Sequence, residues 1–247
     1  MRLFTIPSRF LLSVFALCLA VHAGPVLAGT AHTVLLDAHF NDKTPGEAIG
    51  TGGAALGEPY AVPEYLMATV VEIPGLDNAL EVERIPGGYN TARMVTFQFI
   101  DNVEITSGVV DISVVFTASA LGSYQLQVRE AFTSTKGFVN IRLSDDGRIR
   151  AYDAANQAIL IQTRTYAAGV PVTLRLQFDM DAGTHSAWVD DEALYQNISH
   201  GITDRGVGKV MIGFPYATNY SPFLMDDLFV LHEYEDPTIF KNGFESD

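Results

Sequence analysis

Cysteine is almost absent from this sequence. Cys18 is the single cysteine among 247 residues, and it lies in an apolar stretch near the amino terminus. The rest of the chain therefore forms no internal disulfide bond. Its stability must come from burial of apolar side chains or from a bound metal, and the chain is long enough to bury a sizeable core.

Acidic residues are missing from the first 28 positions. Arg2 and Arg9 precede the apolar run 11–23, and Val26-Leu27-Ala28 resembles a signal-peptidase cleavage site. This pattern predicts a signal peptide over residues 1–28. A membrane anchor is the alternative, but the run is short for the ~20 residues that span a bilayer. We therefore expect an exported protein (secreted, periplasmic or on the cell surface) with no membrane span once the signal is removed.

Basic residues are few. Fifteen Lys and Arg residues face 29 Asp and Glu residues, which gives a formal net charge of −14. Removal of Arg2 and Arg9 with the signal makes the remaining chain more acidic by two charges. Such a chain repels nucleic acid and anionic membranes. We expect no nucleic-acid partner.

Helical patterns are also absent, and the sequence consists of short β-type runs separated by Gly, Pro, Asn and Asp. In 109–117 and 171–179, apolar residues alternate with polar ones, which is typical of strands with one buried face. Asp145-Asp146-Gly147 and Asp181-Ala182-Gly183 predict hairpin turns. The predicted strands lie near 34–40, 66–73, 79–84, 93–100, 109–117, 123–130, 138–143, 171–179, 184–190, 207–214 and 223–232. A further predicted strand carries Arg148, Arg150 and Tyr152 on one face.

About a dozen strands without an internal repeat favour two stacked antiparallel sheets, because each apolar face needs a partner. We predict one β-sandwich domain over residues 29–233. A linker and tail are expected over residues 234–247.

The order of features resembles a known family. Phe40-Asn41-Asp42 opens the domain, Arg175 to Asp179 and His185 to Asp191 flank a turn, and Met225 to Val230 closes it. This pattern resembles concanavalin A-like lectin/glucanase domains, especially laminin-G-like modules of exported bacterial proteins. The resemblance implies an all-β, two-sheet antiparallel β-sandwich, a concanavalin A-like jelly roll. A galactose-binding-like jelly roll is the alternative.

The sequence lacks the catalytic motif of the family's glucanases, and its carboxyl terminus shows a separate resemblance. Glucanases of this fold carry Glu-x-Asp-x-x-Glu on one strand, and Glu81-Val82-Glu83 is the nearest approach here, without a third acid. The sequence Gly243-Phe244-Glu245 is similar to a short tail on many exported proteins of gram-negative bacteria. A sorting or docking peptide and an ordinary terminus both remain open for it.

Three acids could bind a cation. Asp226 and Asp227 lie on the last predicted strand, and Asp37 lies on the first. Terminal strands of sandwiches are often neighbours, and Ca²⁺ prefers hard oxygen ligands. We therefore predict a structural calcium site at these residues, with solvated acids as the alternative.

Basic residues concentrate in one segment. Residues 129–175 hold seven Lys and Arg residues against four Asp and Glu residues, within an acidic chain. Guanidinium and amide groups bond sugar hydroxyls and carboxylates, and an aromatic ring stacks on a sugar. An ordinary polar sheet face is the alternative. By strand alternation, the candidate ligand-binding side chains are Gln127, Arg129, Arg142, Arg150, Tyr152, Arg175, Gln177 and Trp188. For Trp188 a core position is the alternative, because the register of its strand is ambiguous.

Three functional hypotheses follow. The first is a non-catalytic, lectin-like module that binds polysaccharide, particularly an acidic one. The second is a structural or interaction module of the cell envelope or secretome. The third is a polysaccharide lyase, in which Arg or Gln would neutralise a uronate and Tyr152 or His185 would take the proton. No catalytic motif is matched, so the sequence assigns no catalytic residue.

Overall fold

The structure is a computed structural model that describes residues 29–49, 59, 61–73, 77–85, 93–131, 137–153, 155, 157–202, 204–215 and 221–236, with only the backbone of 160–162. The predicted signal peptide, residues 1–28, and residues 237–247 of the predicted tail lie outside these ranges. Residues 31–234 make one compact unit. Residues 29–30 and 235–236 are the described parts of a second unit.

The described residues form fourteen β-strands and one short 3-10 turn at Ile100–Asn102. The strands are β1 Gly29–Ala38, β2 Leu66–Glu72, β3 Asn78–Arg84, β4 Arg93–Gln98, β5 Val109–Ala118, β6 Tyr124–Arg129, β7 Gly137–Leu143, β8 Arg148–Asp153, β9 Ala158–Thr165, β10 Val172–Asp179, β11 Thr184–Val189, β12 Glu192–Ser199, β13 Lys209–Phe214 and β14 Phe223–Asp236.

The strands form two sheets. One has eight strands in the order β12-β11-β10-β5-β14-β3-β2, with β1 also paired to β14. The other has six strands in the order β4-β13-β6-β7-β8-β9. The strand pairs β10–β11, β10–β5, β14–β3, β14–β5, β6–β7 and β7–β8 are antiparallel. The predicted class, an all-β sandwich of two antiparallel sheets in a jelly roll, is confirmed.

Aromatic side chains fill the space between the sheets. Phe116 and Phe223 of the eight-stranded sheet meet Tyr124 of the six-stranded sheet, with ring centres 5.3 and 5.8 Å from the Tyr124 ring. Phe138 and Phe178 make a second contact between the sheets at 5.7 Å. All five side chains are at most 2% exposed. Apolar burial on this scale provides stability without a disulfide bond.

Strand alternation in the sequence correctly predicted which side chains face the core. Along β10, burial alternates strictly, with Val172, Leu174, Leu176 and Phe178 buried. The two predicted turns are present, and Gly147 and Gly183 adopt positive φ angles of 75° and 67°. No helix in the described part of the chain is long and apolar enough to cross a membrane.

Candidate functional site

The outer face of the six-stranded sheet carries an ordered array of polar side chains. In register, Gln125 of β6 lies beside Arg142 of β7, which lies beside Arg150 of β8. The adjacent row contains Gln127, Asn140 and Tyr152 on the same three strands. We call this surface the six-stranded face and define it by Gln125, Gln127, Arg129, Asn140, Arg142, Arg148, Arg150, Tyr152 and Lys209.

Alternation explains why these side chains point outward. The residues between them, including Leu126, Val128, Ile141 and Ala151, are at most 2% exposed and belong to the core. In a strand, successive side chains point to opposite sides of the sheet. The buried set on β6, β7 and β8 therefore fixes the polar set on the solvent side.

Contacts between these side chains hold them in place. The guanidinium carbon of Arg142 lies 4.0 Å from the centre of the Tyr152 ring, which is a cation–π contact. In the amide orientation that satisfies its neighbours, the Asn140 oxygen accepts hydrogen bonds from Nε and Nη2 of Arg142 at 3.1 and 3.2 Å. Nε of Arg129 donates to Oε1 of Gln127 at 2.7 Å. The face is therefore preorganised by its own side chains.

Arg150 has a partner carboxylate in the turn before its strand. Its Nη2 donates to Oδ2 of Asp146 at 2.6 Å, and its Nη1 donates to the Ser144 hydroxyl at 2.8 Å. The hydrogen bond from Arg150 lowers the pKa of Asp146, and the same bond raises the pKa of Arg150. Asp146 lies in the turn before β8, so the charge of Arg150 is partly neutralised at the rim of the face.

Lys209 marks the other end of the face and was not among the predicted site residues. It lies opposite Arg129 on β6 and is 9% exposed. Its Nζ donates to the Ala131 carbonyl at 3.0 Å. Burial lowers the pKa of Lys209, and the nearby charge of Arg129 lowers it further, against the opposing effect of Glu130 and Glu104. The buried Val210 and Ile212 that follow it could have indicated its outward position.

The structure separates the eight predicted ligand-binding residues into two groups. Gln127, Arg129, Arg142, Arg150 and Tyr152 lie together on the six-stranded face. The remaining three, Arg175, Gln177 and Trp188, lie on β10 and β11 of the other sheet. The expectation of a single shared face is therefore corrected. Its physical reason is that β10 pairs with β5 and β11, not with β7 or β8.

The three acids of the predicted calcium site lie on β1 and β14, which pair with each other. Oδ1 of Asp37 lies 2.8 Å from Nδ1 of His39, and Oδ1 of Asp226 accepts a hydrogen bond from the Asp227 backbone. Burial, and then the charges of Asp227 and Asp77, raise the pKa of Asp226. Among the described residues, no group of three or more His, Cys, Asp or Glu side chains has metal-binding geometry. Calcium binding therefore stays a prediction.

His185, one of the two proton acceptors considered for a lyase, does not reach an outer face. It is 1% exposed and stacks parallel to Phe178 in the core, with ring centres 5.6 Å apart. Burial lowers the pKa of His185 to about 4. Tyr152, the other candidate, lies on the six-stranded face.

Comparisons with known proteins identify the fold but no family. No protein-family model matches the chain, and no curated protein matches its sequence. Among solved structures, the catalytic domain of a glycoside hydrolase family 131 β-glucanase from Podospora anserina matches with a TM-score of 0.51 and 15% identity. That match covers 80% of this chain and 95% of the glucanase domain.

Two other solved structures show weaker similarity. A sialidase matches with a TM-score of 0.46 and 11% identity over 82% of this chain, but the chain spans only 18% of that sialidase. A family 7 alginate lyase matches with a TM-score of 0.47 and 9% identity, over 71% of this chain and 85% of the lyase. At such identities these matches concern the fold alone.

Proposed function

We propose that this chain is a non-catalytic, lectin-like module that binds an anionic polysaccharide along the six-stranded face. The proposal rests on the strand register of this face. One row across the strands contains Gln125, Arg142 and Arg150, and the next row contains Gln127, Asn140 and Tyr152. Guanidinium, amide and phenol groups thus lie in two rows across three neighbouring strands. Adjacent strands are about 4.8 Å apart, so each row extends over roughly 10 Å.

Charge supports an anionic ligand. The chain as a whole is strongly acidic, with a formal net charge of −14. The six-stranded face nevertheless includes five basic residues, Arg129, Arg142, Arg148, Arg150 and Lys209. Asp146 at its rim pairs with both Arg148 and Arg150. Guanidinium groups bind carboxylates and sulfates through paired hydrogen bonds, and the partly exposed amides of Gln127 and Asn140 would bond sugar hydroxyls. An anionic chain would be drawn to this face and repelled elsewhere on the molecule.

The fold and the sequence resemblance support the same proposal. The catalytic domain of the β-glucanase from Podospora anserina has a similar fold, so a sandwich of this kind serves a carbohydrate-related function in that protein. We assign the chain to concanavalin A-like jelly rolls on this basis, together with its order of strands and turns. Export with a cleaved signal belongs to the same proposal, because an anionic polysaccharide ligand would be found outside the cell.

The test is a calorimetric titration of the full-length chain with alginate, polygalacturonate and heparin. We expect at least one of these polymers to bind, and we expect Arg142→Ala to weaken that binding at least about tenfold, since charge-assisted hydrogen bonds are worth about 1.5–3 kcal/mol. Binding should also weaken as salt is added, because the attraction is between exposed charges.

Arg175→Ala is the matched control, because it removes the same charge from the opposite sheet. Its affinity for the anionic polymer should equal that of the wild-type chain. Equal binding by Arg142→Ala and wild type would refute the six-stranded face as the site. If none of the three polymers binds, the alternative of a structural or interaction module would be favoured.

A polysaccharide lyase is the second candidate, and one contact favours it. Tyr152 lies directly under the guanidinium group of Arg142. A uronate carboxylate paired with Arg142 would therefore be next to the phenol. In a lyase, a base takes the proton beside the carboxylate, a C=C bond forms, and the neighbouring C–O bond breaks with its electron pair on oxygen. Formation of unsaturated product from alginate or polygalacturonate, and its loss in Tyr152→Phe, would establish a lyase. If no unsaturated product forms, the non-catalytic, lectin-like module remains the proposed function.

We also propose that Asp37, Asp226 and Asp227 bind Ca²⁺ as a structural ion. The terminal strands β1 and β14 that carry these acids are paired, as the prediction required. Ca²⁺ should then raise the thermal unfolding temperature of the wild-type chain, because a ligand that binds only the folded state stabilises it. Asp226→Asn should abolish the effect. An unfolding temperature that does not change with Ca²⁺ or chelator would dismiss the site.

A further inference from the structure

The outer face of the eight-stranded sheet carries its own cluster of polar and aromatic side chains. Arg175 of β10 lies between Ser113 of β5 and Trp188 of β11 in register. Two residues further along β10, at the next outward position, Gln177 lies between Asp111 of β5 and Ser186 of β11. We call Asp111, Arg175, Gln177 and Trp188 the Trp188 cluster. It is separated from the six-stranded face by the core of the sandwich.

The Trp188 cluster is held together by a hydrogen-bond network. Oδ1 of Asp111 accepts from Nε and Nη2 of Arg175 at 3.0 and 2.8 Å, and Oδ2 accepts from Nε2 of Gln177 at 3.0 Å. The guanidinium carbon of Arg175 lies 5.1 Å from the centre of the Trp188 ring. Arg175 is thus fixed on two sides, by a carboxylate and by an aromatic ring.

Donors and acceptors remain for a ligand. The bonds above use only part of the N–H groups of Arg175, which can donate more than two hydrogen bonds, and they leave Oε1 of Gln177 as an acceptor. The side chain of Arg175 is 47% exposed, so its remaining N–H groups face solvent. A ligand could therefore bond to groups whose positions are already fixed.

An apolar surface continues from the cluster in the same row. Phe229 of β14 is the register partner of Ser113, and Leu231 is the partner of Asp111. Both side chains are partly exposed. From Trp188 to Phe229 the row crosses three steps between strands, roughly 14 Å. Two aromatic rings thus flank a polar centre on a surface longer than one sugar ring.

The chemistry of the cluster selects a neutral ligand. Arg175 and Asp111 form an ion pair at 2.8 Å, so their charges cancel, in contrast to the basic six-stranded face. Aromatic rings bind the apolar face of a pyranose, and carboxylate, amide and guanidinium groups bond its hydroxyls. A pyranose whose hydroxyls are equatorial presents axial C–H groups on both ring faces, and these faces are flat and apolar. We propose that the Trp188 cluster is a second, separate binding site for a neutral chain of such sugars.

The sequence offers a specific probe for this site, since Trp188 is the only tryptophan of the chain. Its fluorescence reports on the cluster alone. Titration of the full chain with cellohexaose, an oligomer of glucose with equatorial hydroxyls, should change the Trp188 emission and protect it from quenching by acrylamide. Calorimetry on the same samples should give the same affinity.

Two variants and one control decide the matter. Trp188→Phe should lose at least about tenfold in affinity by calorimetry, because a smaller ring stacks less well, and Arg175→Ala should also weaken binding while the circular dichroism spectrum stays unchanged. Arg142→Ala, on the six-stranded face, should keep the full fluorescence response to cellohexaose. This last variant separates the second site from the anionic site proposed above.

Three results would overturn the proposal. The first is no change in fluorescence and no heat with cellohexaose at millimolar concentration. The second is equal affinity of the wild type, Trp188→Phe and Arg175→Ala. The third is a Trp188 emission that depends on protein concentration without sugar, which would mean that a second copy of the chain covers the cluster.

Discussion

His185 is a histidine enclosed in the core of the sandwich. Its Nδ1 lies 2.8 Å from the Tyr195 hydroxyl, and its Nε2 is buried without a hydrogen-bond partner among the described residues. Burial lowers its pKa to about 4, and the proximity of His200 adds to this, while Asp153 opposes it. The folded chain therefore holds His185 in its neutral form at neutral pH.

The buried His185 should make stability dependent on pH. In the unfolded chain its pKa is near the ordinary value of about 6.5. Below that pH the unfolded state binds a proton that the folded state does not, so the free energy of unfolding falls as the pH drops from about 6.5 to about 4. The expected loss from this residue is about 3 kcal/mol over that range, as an order of magnitude. Urea unfolding at pH 7.5, 6.0, 5.0 and 4.5 would measure it.

A double variant isolates the contribution of His185 from that of the carboxylates. His185→Phe combined with Tyr195→Phe removes the titrating group and leaves no unpaired hydroxyl in the core. The difference in unfolding free energy between the variant and the wild type should change with pH over this range. A difference that stays constant from pH 7.5 to 4.5 would contradict the assignment.

At the level of single strands, the sequence correctly predicted which side chains point toward the core, but it did not predict which strands pair with one another. The alternation in β5, β6, β7 and β10 is a local property, because a strand buries every second side chain whatever its neighbours are. The outward positions of Arg142 and Arg175 followed from it, whereas the sequence left Trp188 of β11 open between the core and the surface. Which strands pair is decided by long-range contacts, so the division of the eight residues between two sheets was not visible in the sequence.

Two strands were missed altogether, and both break the simple pattern. In β9, Ala158 to Ile161 is a run of apolar residues without alternation. β12 pairs with β11 through register shifts on both sides of Ala187, and Asn197 in β12 has a positive φ angle of 52°. Bulges shift the period of two by one residue and so erase its signal. The candidate site was also predicted only in part. Local patterns identified its residues, but they did not show that these residues belong to two different sheets.

Gly213 determines how closely β4 can approach β13. A Cβ atom on Gly213 would collide with the Arg93 carbonyl oxygen and would lie 2.7 Å from Cα of Met94. Both are backbone atoms, so the strands would have to separate. Gly213→Ala should therefore lower the free energy of unfolding by about 1–3 kcal/mol, the range typical of overpacking. Urea unfolding at pH 7.5 would measure the loss.

Gly137 is the matched control in the same sheet. A Cβ atom there would meet its nearest neighbour, the Val128 carbonyl oxygen, at 3.6 Å, which is an ordinary contact. Gly137→Ala should leave stability unchanged or raise it slightly, because alanine restricts the unfolded chain. If both variants lost stability equally, the close approach of β4 would not be the cause.

On the scale of the whole molecule, the two proposed sites lie on opposite sides of the sandwich. The six-stranded face and the Trp188 cluster belong to different sheets, and the inward side chains of both sheets form one core. Packed sheets are about 10 Å apart, so a polymer bound on one side does not contact a polymer bound on the other. One copy of the chain could therefore hold two polysaccharides of different charge at once.

This arrangement predicts bridging, which neither site alone can produce. Cellulose powder carrying bound wild-type protein should retain a soluble anionic polymer, such as labelled polygalacturonate, that is washed away when protein is omitted. Arg142→Ala should still bind the powder but release the anionic polymer, whereas Trp188→Phe should leave both protein and anionic polymer in solution. The measured quantities are the label and the protein in the sediment. Retention of label by either variant at the wild-type level would contradict bridging through these two surfaces, because removal of either attachment should release the anionic polymer.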